Sequence, residues 1–114
     1  QEHGARHRCA WAALLDLRGE GLLAIGEPHF DFTARHYTVE DLEQAPHTID
    51  LVRRDETVVH LDGEMNGIGT NSCGPGTLPE HTFAPAPKTF AVRLRPACAQ
   101  ELAPAEAAKI PPVE

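Results

Sequence analysis

Between His60 and His81 the chain reads HLDGEMNGIGTNSCGPGTLPEH, and no regular element can run through that stretch. His60, Leu61 and Asp62 close an alternating run, which Gly63, Gly67, Gly69, Gly74, Pro75 and Pro79 then interrupt. Glycine widens backbone freedom and proline withholds an amide donor, so neither a helix nor a paired strand survives here. An irregular connection of about 16 residues exceeds the usual length and is either functional or disordered. The run GIGTNSCGP has the glycines of a phosphate cradle but lacks the Lys-Ser or Lys-Thr that follows one. Pro75, Pro79, Pro85 and Pro87 also deny an anion any helix N-terminus. Two readings remain: a loop that turns the chain, or a contact loop in which Asn71 and Ser72 offer hydrogen bonds suited to sugar hydroxyls.

The flanks of that loop read mainly as strands. Arg8–Asp16 (RCAWAALLD) is apolar enough for a buried strand, although its alanines leave a helix open. With Leu22–Gly26 it brackets a turn carrying Gly19 and Gly21, the pattern of a hairpin. Phe30 and Phe32 share a face by period-two spacing. TVEDLEQAP predicts one short helix, capped by Thr38 with Asp41 at the return position of a capping box and ended by Pro46. TIDLVRRDETVVHLD predicts two strands around a polar bend at Arg53–Glu56. KTFAVRLRP predicts a half-buried strand with Phe90, Val92 and Leu94 inward. Beyond Pro96, residues 97–114 are rich in Ala, Pro and Glu, which predicts a loosely held tail or linker. The expected class is mainly β, antiparallel, with one short helix.

Composition excludes several partners. The formal charge is −7 over 114 residues, without a basic face, which argues against a nucleic-acid backbone. No apolar run approaches the roughly 20 residues of a membrane span, so no membrane partner is expected. Cys9, Cys73 and Cys98 form neither a CxxC pair nor an even disulfide framework, which suggests a reducing cytoplasm. The chain begins at Gln1 without an initiator Met, as a piece of a longer protein would.

Chemistry-bearing residues are scattered. Of seven histidines only His3 and His7 are closely spaced, without a third ligand nearby, so surface histidines are expected rather than a metal site. Glu40, Asp41 and Glu43 read as the solvated face of the helix. Glycoside chemistry needs two carboxylates flanking a bond from separate elements, and no such pair stands out. Cys73 has no evident base, so a thiol nucleophile is not expected.

Three segments in order, QEHGARHRCAW, FDFTARHYTVEDLEQAPHTIDL and HLDGEMNGIGTNSCGPGTLPEH, resemble the end of bacterial β-galactosidases of glycoside hydrolase family 2. They are similar to the latter part of the small-chain domain, domain 5, over residues 1–96. The resemblance implies an antiparallel β-sandwich that forms part of a larger supersandwich. It implies a parent enzyme that hydrolyses terminal β-D-galactosides such as lactose, with retention, through two glutamates of a TIM barrel outside this chain. No catalytic residue and no cofactor is then expected here; the family often uses Mg2+ and Na+ in other domains. The implied partners are the remaining domains or large chain of the enzyme and the galactoside substrate. In the family a loop of this domain reaches the sugar site, where one type stacks a Trp on the sugar. Cys73 stands at that position, so Asn71, Ser72 and Cys73 are the implied substrate-binding residues. His3 replaces an Asn of the family's QENG-like start, and residues 97–114 extend past the family's usual end. The alternative is a stand-alone, non-catalytic carbohydrate-binding β-sandwich. It would want exposed aromatic platforms, yet aromatic residues are 5% of the chain, with Trp11 and Tyr37 the leading candidates.

Overall fold

A computed structural model describes residues 4–67 and 74–112. These residues are mainly β, with four antiparallel strands among them in one sheet: β1 (Arg6–Leu15), β2 (Glu20–Arg35), β3 (Val58–Asp62) and β4 (Ala91–Cys98). Strand β2 is the axis. It pairs along one edge with β1, from Leu15↔Gly21 to Arg6↔Phe32. On the other edge its first half pairs with β4 and its second half with β3. The two expected segments LLAIG and HFDFTARHY are therefore one continuous strand that bends at Gly26–His29.

The β1–β2 turn is built by Asp16, whose Oδ1 accepts from the backbone amides of Arg18 (2.8 Å) and Glu20 (3.0 Å). Gly19 adopts φ +82°, a conformation that costs a residue with a Cβ. Across the pairing, Leu23 and Ile25 share a face with Ala13 and Ala97, because paired residues point the same way. That face is closed by α2 (Pro104–Ala107), which sets the buried Ala107 against Leu23 and Ile25.

Here the structure departs from the expected loose tail and from the single helix. Residues 97 and 98 finish β4, and the segment after them folds back over the sheet. Arg95 donates to the Ala107 carbonyl (3.1 Å) and Arg93 to that of Ile110 (2.9 Å), satisfying groups at the end of the short helix. Small alanines let the backbone approach closely, and the two arginines supply what the alanines cannot. The inward face expected for β4 changes for the same reason. Phe90 and Leu94 remain 50% and 54% exposed, whereas Arg93 and Arg95 are the better covered.

Helix α1 (Val39–Gln44) forms as expected: Asp41 N donates to Thr38 Oγ1 (3.2 Å) and Thr38 N to Asp41 Oδ2 (2.8 Å). The first of the two strands expected in TIDLVRRDETVVHLD is instead a 3-10 turn, Thr48–Asp50. Its backbone is drawn round by Asp50 Oδ2, which accepts from His47 N (3.0 Å), and Ile49 and Val52 find no sheet to join. Only the second strand, β3, enters the ladder.

Candidate functional site

The bend of β2 organises one end of the molecule. Residues 63–90 form an arm that leaves the sheet after Asp62, paired with Asp31, and returns at Ala91, paired with Glu27. Both roots of the arm thus stand a few residues apart on one strand. Opposite them β1 is irregular between Arg6 and Trp11, and Arg8 takes φ +54°. A left-handed backbone is unfavourable for a residue with a Cβ and needs local support. Asp31 gives it: its Oδ1 accepts from Arg8 N (2.8 Å) and lies 2.8 Å from His7 Nδ1. The Asp31 residue is only 2% exposed, and its Oδ2 is buried without a protein partner.

His7 and Arg8 form the wall between two open clefts. The larger, about 570 Å3, is lined by these two residues together with residues 64–67 and 80–83 of the arm. The smaller, about 330 Å3, runs over the β2 bend towards Phe90. The two limbs of the arm are joined beside the larger cleft. Gly67 N donates to the His81 carbonyl (2.8 Å), Thr77 Oγ1 to the Gly67 carbonyl (2.7 Å), and Phe83 N to Asn66 Oδ1 (3.0 Å). Lys88 pairs with Glu64 and lies 4.6 Å from the centre of the Phe83 ring. Such a lining offers donors, acceptors and one aromatic ring, the means of holding a polar group. Among the described residues no three His, Cys, Asp or Glu side chains are gathered for a metal.

Asn71, Ser72 and Cys73, the residues singled out from sequence, lie outside the described residues, as does His3. What sequence reading missed is the neck between residues 64–67 and 77–83. Asn66 and Thr77 look like ordinary loop residues, and nothing local pairs them across the intervening turn. Asp31, which the sequence reading did not single out, is buried under the β1 irregularity, where His7 and Arg8 meet its carboxylate.

The described residues form an antiparallel β-domain: one four-stranded sheet with a half-open apolar surface and a long connection leaving it at one end. Residues 1–94 match the model of the family described as beta galactosidase small chain. The chain belongs to that family. It is 36% identical over 75 residues to a beta-galactosidase of Actinobacillus pleuropneumoniae, covering 66% of this chain and 7% of that protein. It is 29% identical over 75 residues to a beta-galactosidase of Staphylococcus xylosus, again 66% of this chain and 7% of the relative. A third beta-galactosidase, from Arthrobacter sp. (strain B7), is 29% identical over 66 residues, 58% of this chain and 6% of its own length. The matched region thus spans about 7% of the length of the first two of these relatives.

Proposed function

We propose that this chain is the closing segment of the accessory β-sandwich of a cytoplasmic enzyme that hydrolyses terminal β-D-galactosides such as lactose. The family membership carries the reading, and the arm is the feature that gives the segment a task. Asn71, Ser72 and Cys73, which follow Gly67 and precede Thr77 in sequence, would border the acceptor side of the sugar site without taking part in bond cleavage. The other domains of the enzyme would supply the two catalytic glutamates, so the isolated chain is inactive. The sheet face opposite α2 carries Leu14, Leu22 and Leu94, with Leu22 38% and Leu94 54% exposed. The preceding part of the sandwich would cover that face.

The test is kinetic. In the full-length enzyme, Cys73→Trp, Cys73→Ala and Asn71→Ala are compared on lactose and on an activated aryl galactoside. An indole at position 73 adds stacking area for a sugar ring, so Cys73→Trp should change KM for lactose and the ratio of transfer to hydrolysis. The aryl substrate should respond less, because acceptor-side binding that is equal in ground and transition states moves KM rather than kcat. Identical kinetics of all three variants and wild type on both substrates would reduce the loop to a turn.

A further inference from the structure

We infer that the smaller cleft, over the β2 bend, is a binding site for a single sugar ring or a like polyol, held by Asp31 and Phe90. This site goes beyond the role proposed for the arm and involves no residue between 68 and 73. Asp31 is its centre. A carboxylate can accept on both oxygens, yet Oδ1 takes the bond from Arg8 N and the contact with His7 Nδ1. Oδ2 is buried without a protein donor, and a buried acceptor left unmatched is costly. One oxygen is thus kept for a donor that none of the described residues supplies. Asp31 lines the cleft through which such a donor would reach it.

Phe90 supplies the apolar wall. Pairing of β4 begins at Ala91, so Phe90 stands just outside the ladder, with its ring half exposed at the cleft. The ring is seated against bare backbone. A Cβ on Gly63 would stand 2.7 Å from Phe90 Cδ1 and 2.8 Å from its Cγ. Packing there fixes the ring without covering it, and a platform fixed beforehand costs a ligand less ordering. An apolar ring face beside a few placed polar groups suits a pyranose, which is apolar on its C–H face and hydroxylated at its edge.

The rest of the lining favours a neutral ligand over an ion. Glu27, Glu64 and Arg8 all border the cleft, and Glu64 is already paired with Lys88. Neither Glu27 nor Arg8 belongs to an ion pair among the described residues. A cation would meet Arg8 and an anion would meet Glu27 and Asp31, whereas hydroxyls can donate to the carboxylates and accept from the guanidinium. The cleft, about 330 Å3, lies at the small end of the roughly 300–1,000 Å3 of ligand sites, which limits the occupant to about one ring.

The experiment uses the full-length enzyme with Phe90 replaced by para-fluorophenylalanine, whose fluorine resonance reads the cleft directly. It is titrated with methyl β-D-galactopyranoside, with methyl β-D-glucopyranoside and with methylguanidinium chloride. A saturable shift is expected with one or both sugars and none with methylguanidinium; the sugar that saturates first is the ring the cleft prefers. Asp31→Asn keeps an oxygen for the Arg8 amide and sets an NH2 donor where Oδ2 stood. Half-saturation should then rise roughly tenfold, the low end for a bond to a charged acceptor. Equal Arg8 amide exchange in this variant and its parent checks that the β1 irregularity is intact. Arg8→Met leaves backbone and stem in place and should raise half-saturation about threefold, because water replaces part of an exposed bond. No saturable shift with either sugar would overturn the site. Half-saturation unmoved by Arg8→Met, and by Asp31→Asn with normal Arg8 exchange, would equally overturn it. A saturable shift with methylguanidinium alone would assign the cleft to a cation and overturn the polyol.

Discussion

The sheet and the arm are held by different means. Strand β2 is hydrogen-bonded to three others, so its order is spread over many backbone pairs and a small set of buried side chains. Among the described residues the arm holds no strand. Its limbs are joined there by the hydrogen bonds of the neck and by an exposed ion pair from Glu64 to Lys88. A distributed network loses stability gradually and globally, whereas a few specific bonds can be lost locally without unfolding the rest. The contrast suits a scaffold that must stay fixed and an element whose placement evolution can adjust. Substitutions in the two regions should therefore differ in kind as well as in size.

The largest effect should come from the sheet. Phe30 is 1% exposed and packs edge-on against Phe32 at a centroid distance of 6.3 Å. Phe30→Ala should cost about 3–5 kcal/mol, and Leu23→Ala about 2–5 kcal/mol, as cavities in a core this small have little room to collapse. Urea denaturation measures both. A loss confined to the arm, with the sheet transition unmoved, would break the contrast. Next comes the strap of residues after β4. Ala107 is 5% exposed against Leu23 and Ile25, so Ala107→Glu forces a carboxylate into an apolar seat. A loss of about 1–3 kcal/mol is expected, with faster amide exchange over residues 103–110. Equal exchange in variant and wild type would mean that α2 contributes little to closing the sheet.

Much of the sheet was legible because its cues are local. The hairpin turn with Gly19, the capping pair Thr38 and Asp41, and the alternation through Val58–Asp62 each announce themselves within a few residues. Failures came where the decisive partner is remote in sequence. Alternation alone could not say which face of β4 would be covered, because the cover comes from α2, itself a segment poor in large apolar residues. Thr48–Ile49–Asp50 carries strand-like residues but is turned by the bond from His47 N to Asp50 Oδ2 and joins no strand. Sequence singled out the arm as a feature through its glycines and prolines, and the family resemblance gave it a place. The neck was invisible because Asn66–Phe83 and Gly67–Thr77 join through space. Asp31 was hidden by an irregularity in a different strand.

Between the global and local extremes lies α1. Thr38 is its cap, and Thr38→Ala should cost about 1 kcal/mol, the usual worth of such a residue. The helix rests on no buried residue, so the loss should appear as faster exchange in residues 39–45 with little change in the sheet. Sheet amides exchanging equally faster would show that α1 and β2 open as one unit.

The smallest effect, and the one most easily switched on and off, is the acid dependence of that helix. Arg54 grips Asp41 with two bonds, Nε to Oδ2 at 2.5 Å and Nη2 to Oδ1 at 2.8 Å. That guanidinium first, and the Thr38 backbone amide second, hold the Asp41 carboxyl well below its ordinary value of 3.8. A carboxylate whose folded pKa is depressed contributes its stabilisation fully above the unfolded value, and loses it as pH falls through the folded one. Protection of α1 amides should therefore be flat from neutrality down to about pH 4, then decline through the more acid range. Asp41→Asn removes the charge but keeps a side-chain oxygen for the Thr38 amide, so the acid decline should vanish while the cap survives in part. A decline already under way between pH 6 and 5 would assign the dependence to another group. Persistence of the acid decline in Asp41→Asn would show that the Arg54 pair does not couple to the helix, leaving the capping bonds alone to hold it.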